Sequence, residues 1–186
     1  MKSKIAIMLL LFVCVSHSTS AFANGNGNGA GSILVLNLVG TAEMTLRDVP
    51  GFVDAMCFDV DLINAKTGKK IGMARDCLSE VGDGLNGGVA LVGTTYFYMH
   101  EGMLITRGNT TVQPVNHPTV TPSGQLITHI TGASGDSNAV IEGTGRFARS
   151  SATVRLSGMV DMTTFGGIEG DIITFDCLFV ITLMDD

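Results

Sequence analysis

The chain has 186 residues, a net charge of −6 at pH 7 and only 15% charged side chains, with 24 glycines and no tryptophan. An acidic, lysine-poor surface repels phosphate backbones, which argues against a nucleic-acid partner. Sparse charge with abundant Gly, Val, Ile and Thr favours tight-turned β structure over helices.

Residues 1–23 read as a secretory signal. Lys2 and Lys4 form its basic start, Ile5 to Val15 its apolar stretch, and Ala21-Phe22-Ala23 its cleavage site. The apolar stretch is far shorter than the roughly 20 residues a spanning helix needs. No small residue stands just before Cys14 to make a lipoprotein anchor. The expectation is therefore a secreted or periplasmic protein with no stable membrane anchor. Loss of the signal leaves nine basic against 17 acidic residues, a net charge of −8. Residues 24–32, NGNGNGAGS, read as a flexible linker. One domain is expected over 33–186.

Within that domain, apolar segments of strand length alternate with turn signals. Candidate strands are 33–46, 53–64, 70–81, 89–99, 102–112, 125–131, 138–147, 152–163 and 171–183. Pro114, Pro118 and Pro122 suggest one longer loop, and no segment keeps a helical period over three turns. Regular short strands with Gly-rich turns predict an all-β sandwich or barrel, and a barrel removes exposed sheet edges.

The hairpin around Thr67 can be read residue by residue. Centring the turn there places Cys57 opposite Cys77, Asp59 opposite Arg75 and Ile63 opposite Ile71. The other face pairs Val60 with Ala74 and Leu62 with Gly72. A cysteine pair and an opposite-charge pair falling together favour this register over its one-residue slips. Directly opposed strand residues lie within disulfide range, and export supplies an oxidising compartment, so a Cys57–Cys77 disulfide is predicted. Cys177 is in phase with Ile173, Phe175, Phe179 and Ile181 and reads as a buried thiol. Pairing with Cys77 instead, or a reactive role in a pocket, are its alternatives.

Glu142 to Leu156, EGTGRFARSSATVRL, combines a Gly-Thr-Gly bend, a following Phe147 and the start of an alternating strand. This run resembles the GGTGKF-type signature of dirigent proteins and the GGSGIF-type segment of allene oxide cyclases. The two families share a small antiparallel barrel, and the skeleton also occurs in a looser group of exported bacterial proteins. Similar features run in order from Phe58 to Leu183: FDVDLINAKTGKKIG (58–72), the hairpin from Phe97 to Thr111, and ITFDCLFVITL (173–183). The resemblance implies a single antiparallel β-barrel of about eight strands.

It also implies where chemistry would sit. Allene oxide cyclases use a Glu and an Asn on the first strand, with a Pro and a Cys nearby. Asn37 and Pro50 fit that pattern, Val35 stands at the Glu position, and Cys77 is one residue out of phase. Dirigent proteins orient a quinone-methide intermediate with acidic residues and an Arg. Asp59 or Asp61 matches the acidic strand, Met73 occupies the usual Arg position, and Arg75 follows two residues on, sharing its face. On that likeness Asp59, Asp61 and Arg75 become candidate catalytic residues.

From the residues alone, Asp59 and Asp61 share a strand face. They are an acid/base pair, a cation site with Asp76 or Asp83, or a solvated outer face with Asp59 paired to Arg75. Tyr96, Tyr98, Phe147 and Cys177, with Phe97, Met99 and Met103, are candidates to line a ligand cavity, or else they pack a filled core. His100, His117 and His129 lack metal-ligand spacing, and no cofactor or metal is expected. No G-x-S-x-G elbow occurs. Asn109-Thr110-Thr111 is a glycosylation sequon, meaningful only in a eukaryotic secretory host. The leading expectation is an exported, non-catalytic barrel that binds a small apolar or aromatic molecule or serves as an interaction module. The alternatives are a protein steering ring closure of a reactive intermediate, and a self-associating surface protein with homo-oligomers.

Overall fold

The computed structural model describes residues 32–121, 124–135 and 137–184. The expected signal, and the expected linker through residue 31, lie outside the described residues. Ten strands form one antiparallel sheet. They are β1 (Ile33–Glu43), β2 (Thr45–Val49), β3 (Phe52–Asn64), β4 (Lys69–Asp83), β5 (Val89–Met99), β6 (Gly102–Val120), β7 (Leu126–Ala133), β8 (Asn138–Gly143), β9 (Ser151–Asp161) and β10 (Ile172–Met184).

Eight of these close into a ring, in the order β1, β10, β9, β7, β6, β5, β4, β3. Leu36–Val39 of β1 returns to pair with Asp61–Asn64 of β3 and completes the circle. Strand β2 lies on β3 outside the ring, and β8 bridges β6 and β9. The fold is thus all-β, a single antiparallel sheet closed into a barrel-like ring of eight strands, one of the two architectures that strand spacing allowed and the one that the resemblance implied. Closure gives each ring strand a neighbour on both sides, so the ring itself has no free edge strand.

Three boundaries differ from the sequence expectation. The first segment breaks at Met44, which is buried and donates its N–H to the Asp171 carbonyl at 2.7 Å, so β1 ends and β2 begins. The expected proline loop is largely strand: β6 runs through Pro114 and Pro118 to Val120. Beyond Val112 this strand pairs only with β7, with a bulge between Pro114 and Thr119. Proline lacks the N–H that a second partner would need and is tolerated on such a one-sided extension. The segment expected over 138–147 stops at Gly143 and continues as a 3-10 turn, Gly145–Phe147.

That turn is the glycine corner. Gly145 has φ +57, a left-handed conformation that glycine adopts without steric cost. A Cβ on Gly143 would collide with the Phe147 carbonyl. The corner docks on the β5–β6 hairpin: Arg146 N–H donates to the Glu101 carbonyl at 2.9 Å, and Thr144 N–H to the Met103 carbonyl at 2.8 Å. Phe147 is driven into the core, 1% exposed.

The β3–β4 hairpin keeps the predicted register for Cys57 with Cys77, Asp59 with Arg75, Val60 with Ala74 and Leu62 with Gly72. Ile63, however, pairs with Lys70 and not Ile71. A tight turn closed by Gly68 N–H on the Asn64 carbonyl leaves one residue extra in β4, and Ile71 takes up the bulge. The sulfurs of Cys57 and Cys77 are at disulfide distance, 2.04 Å. They lie on the outer wall in a satellite cluster with Val49, Ala55, Phe52 and Tyr96, separate from the barrel interior. Arg107 caps this cluster, its guanidinium 5.0 Å from the Phe52 ring centroid and hydrogen-bonded to the Pro50 carbonyl.

Candidate functional site

The barrel interior divides along its axis. At one end Leu38, Leu62, Phe97, Leu104, Phe147 and Ile181 meet, and none is more than 1% exposed. At the other end, toward the β4–β5 and β9–β10 connections, the inward positions leave a cavity of about 420 Å³. Its apolar walls include Met56, Leu91, Val160, Met162, Phe175 and Phe179. The β9–β10 connection contributes Phe165, Gly166 and Gly167. Asp171 holds that connection in place by accepting the N–H groups of Gly166 at 2.7 Å and Ile168 at 2.9 Å, and these bonds lower its pKa.

Polar groups reach the cavity from five strands. Asp76 comes from β4, Thr95 from β5, Thr106 and Thr110 from β6, and His129 from β7. Thr131 on β7 and Asn138 at the start of β8 join them. Strand alternation puts Asp76 inside, on the face of Ala74 and Leu78, opposite Phe58 on β3 and Thr95 on β5. Thr95 Oγ1 donates to Asp76 Oδ1 at 2.7 Å. No other side-chain hydrogen bond reaches Asp76 among the described residues. Burial within the barrel raises its pKa from 3.8 to about 6, and the Thr95 hydrogen bond only partly offsets this. Cys177 lines the same cavity, where burial first, then the charges of Asp76 and Asp176, push its pKa up. It is a free, buried thiol and does not pair with Cys77. His129 shares a 2.9 Å hydrogen bond between Nδ1 and Thr128 Oγ1.

The residues singled out from sequence distribute differently. Asp59 and Arg75 pair as the register predicted, through bonds of 2.8 and 3.0 Å, but on the outer wall. Asp61 is also outside, bound to Lys70 at 2.6 Å. These three do not converge on the cavity, because in the paired stretch of β3 and β4 they occupy the face opposite Phe58, Val60, Ala74 and Asp76. Tyr96 and Tyr98 stack on each other on the outer wall, centroids 6.1 Å apart, and Phe147 belongs to the filled end. Of the seven candidate ligand-lining residues only Cys177 reaches the cavity. Among the described residues no three His, Cys, Asp or Glu side chains gather as a metal site would require. No described helix is long and apolar enough to cross a membrane.

Sequence reasoning weighed Asp76 only as a partner of the outer carboxylates. A signal was nevertheless present: the hairpin register that joins Cys57 to Cys77 sets Asp76 opposite Phe58, a carboxylate on the apolar face. No protein-family model, curated protein or solved structure matches the chain.

Proposed function

We propose that this chain is an exported barrel protein, of the allene oxide cyclase/dirigent-like kind, that binds a small apolar or aromatic molecule in the hollow half of its barrel. One observation carries the proposal: a cavity of about 420 Å³ with apolar walls and a few convergent polar groups. That combination is the usual form of a small-molecule site, where apolar walls supply affinity and sparse polar groups fix orientation. A purely structural barrel has no need of such a space. The cysteine pair at disulfide distance and the signal-like start support a secreted or periplasmic location.

The test uses a neutral, environment-sensitive dye, Nile red. Saturable binding with a blue-shifted emission is expected for the folded protein. Val89→Trp, at the cavity wall near the β4–β5 connection, is expected to abolish it without lowering the melting temperature much. No saturable binding to the parent, or equal binding to the folded variant, would sink the proposal.

A second function, steering ring closure of a reactive intermediate, is favoured by Asp76 alone. A carboxyl with its pKa raised to about 6 in an apolar cavity is poised to give or take a proton near neutrality. Turnover of an epoxide or quinone-methide panel, lost in Asp76→Asn and kept in Asp59→Asn, would support it. Absence of turnover across the panel leaves the binding function alone.

A further inference from the structure

We infer that the cavity is built for a ligand whose head group is a protonated amine. The inference rests on the binding function proposed above and specifies its chemistry. Among the described residues the walls hold one carboxylate, Asp76, and no Lys or Arg. Among the described residues its only side-chain hydrogen bond comes from Thr95, on Oδ1, and no Lys or Arg pairs with it.

A second, independent group points the same way. Asn138 is 5% exposed and lines the cavity, and its Oδ1 has no hydrogen-bond partner among the described residues. A buried acceptor left unpaired costs free energy that a donor from a ligand recovers. Asn138 is held where it is by close packing: a Cβ on Gly108 would overlap it, so the bare glycine makes room. A charged acceptor and, at the wall beside the same space, an unpaired buried one thus border an apolar cavity in which no described Lys or Arg supplies a matching cation. A carboxylate ligand would meet Asp76 with like charge. A neutral alcohol would satisfy one acceptor and leave the charge uncompensated. An ammonium group supplies several donors and the opposite charge in one atom, and an apolar or aromatic body fills the rest of the volume.

Three matched probes test this: 1-naphthylmethylamine, 1-naphthylmethanol and 1-naphthoate. The chain has no tryptophan to obscure naphthalene fluorescence. At pH 7.5 the amine is expected to bind at least about tenfold more tightly than the alcohol, because its hydrogen bond to Asp76 is charge-assisted, and the carboxylate to bind least. Asp76→Asn, nearly isosteric, is expected to erase the preference for amine over alcohol while alcohol binding persists. Asn138→Leu is expected to weaken amine and alcohol together. Alcohol binding without an amine preference, or a preference unchanged in Asp76→Asn, would overturn the amine assignment and leave the cavity's binding function standing. Failure of all three probes while Nile red binds would overturn it too. Failure of Nile red as well removes both.

Discussion

The two ends of the barrel obey the same inward–outward alternation and differ in what stands at the inward positions. The filled end carries Leu, Phe and Ile, and Phe97 meets Phe179 edge-on at 5.1 Å. The hollow end carries Gly93, Thr95, Thr106, Thr110 and Thr131 along its walls. Eight strands enclose a space that side chains can just fill when they are large. Small and hydroxylated side chains on adjacent strands therefore open a cavity with no change in backbone plan. A sealed core and an open cavity thus share one sheet, at opposite ends.

The largest expected effect probes that division. Phe97→Ala at the filled end should cost about 3–5 kcal/mol in urea denaturation, since a sealed core cannot collapse around the hole. Leu91→Ala, facing space that is already open, should fall near the lower limit of about 2 kcal/mol seen for buried leucines. Equal losses would break the comparison between the ends. Next is the outer-wall cysteine pair, which spans 20 residues of chain. Cys57→Ser with Cys77→Ser should lower stability by roughly 2–4 kcal/mol, with Nile red binding by the folded fraction unchanged.

A smaller effect, of opposite sign, is expected from Asp76. In the unfolded chain its carboxyl loses its proton near 3.8, and in the barrel near 6. Between those values the folded state holds a proton that the unfolded state has released, so stability falls as pH rises through the window. Asp76→Asn removes the charged form and should stabilise the protein by about 1–3 kcal/mol at pH 7. The two proteins should converge below pH 4 in melting curves taken as a pH series. The smallest effect belongs to the outer pair: Asp59→Ala should change stability by no more than about 1 kcal/mol, because exposed ion pairs are screened by water and salt. It should leave dye binding untouched.

Much of the sheet was legible because it depends on short-range rules. The β5 boundaries, the cysteine register and the Gly143–Phe147 corner follow from alternation, turn residues and glycine conformation. The site was not legible by those rules. Whether Thr95, Thr106 and Asp76 share one hollow depends on how β4, β5 and β6 are staggered around a closed ring, and a single strand does not encode that. Asp59 and Arg75 drew attention because opposed charges are conspicuous in a sequence. Their conspicuousness has a plain cause: an exposed face tolerates a charge pair. Asp76 stands between an arginine and a half-cystine, and only its phase distinguishes it. The prolines misled because their effect depends on whether a second strand lies alongside.

The first strand sits between the third and the last: β1 takes one set of partners from β3 and the other from β10, where Ile33 meets Thr182. Phe175, Cys177 and Phe179 on β10 are also cavity wall. During synthesis, then, every earlier strand can be laid down while β1 still has a bare flank and the cavity still lacks a side. Such distant pairing is slow to form. The final hydrogen-bonded seam and the cavity come into being in one event, when the last strand arrives. A bound ligand would mark a completed molecule, and a chain halted before β10 would be open along its first strand and empty.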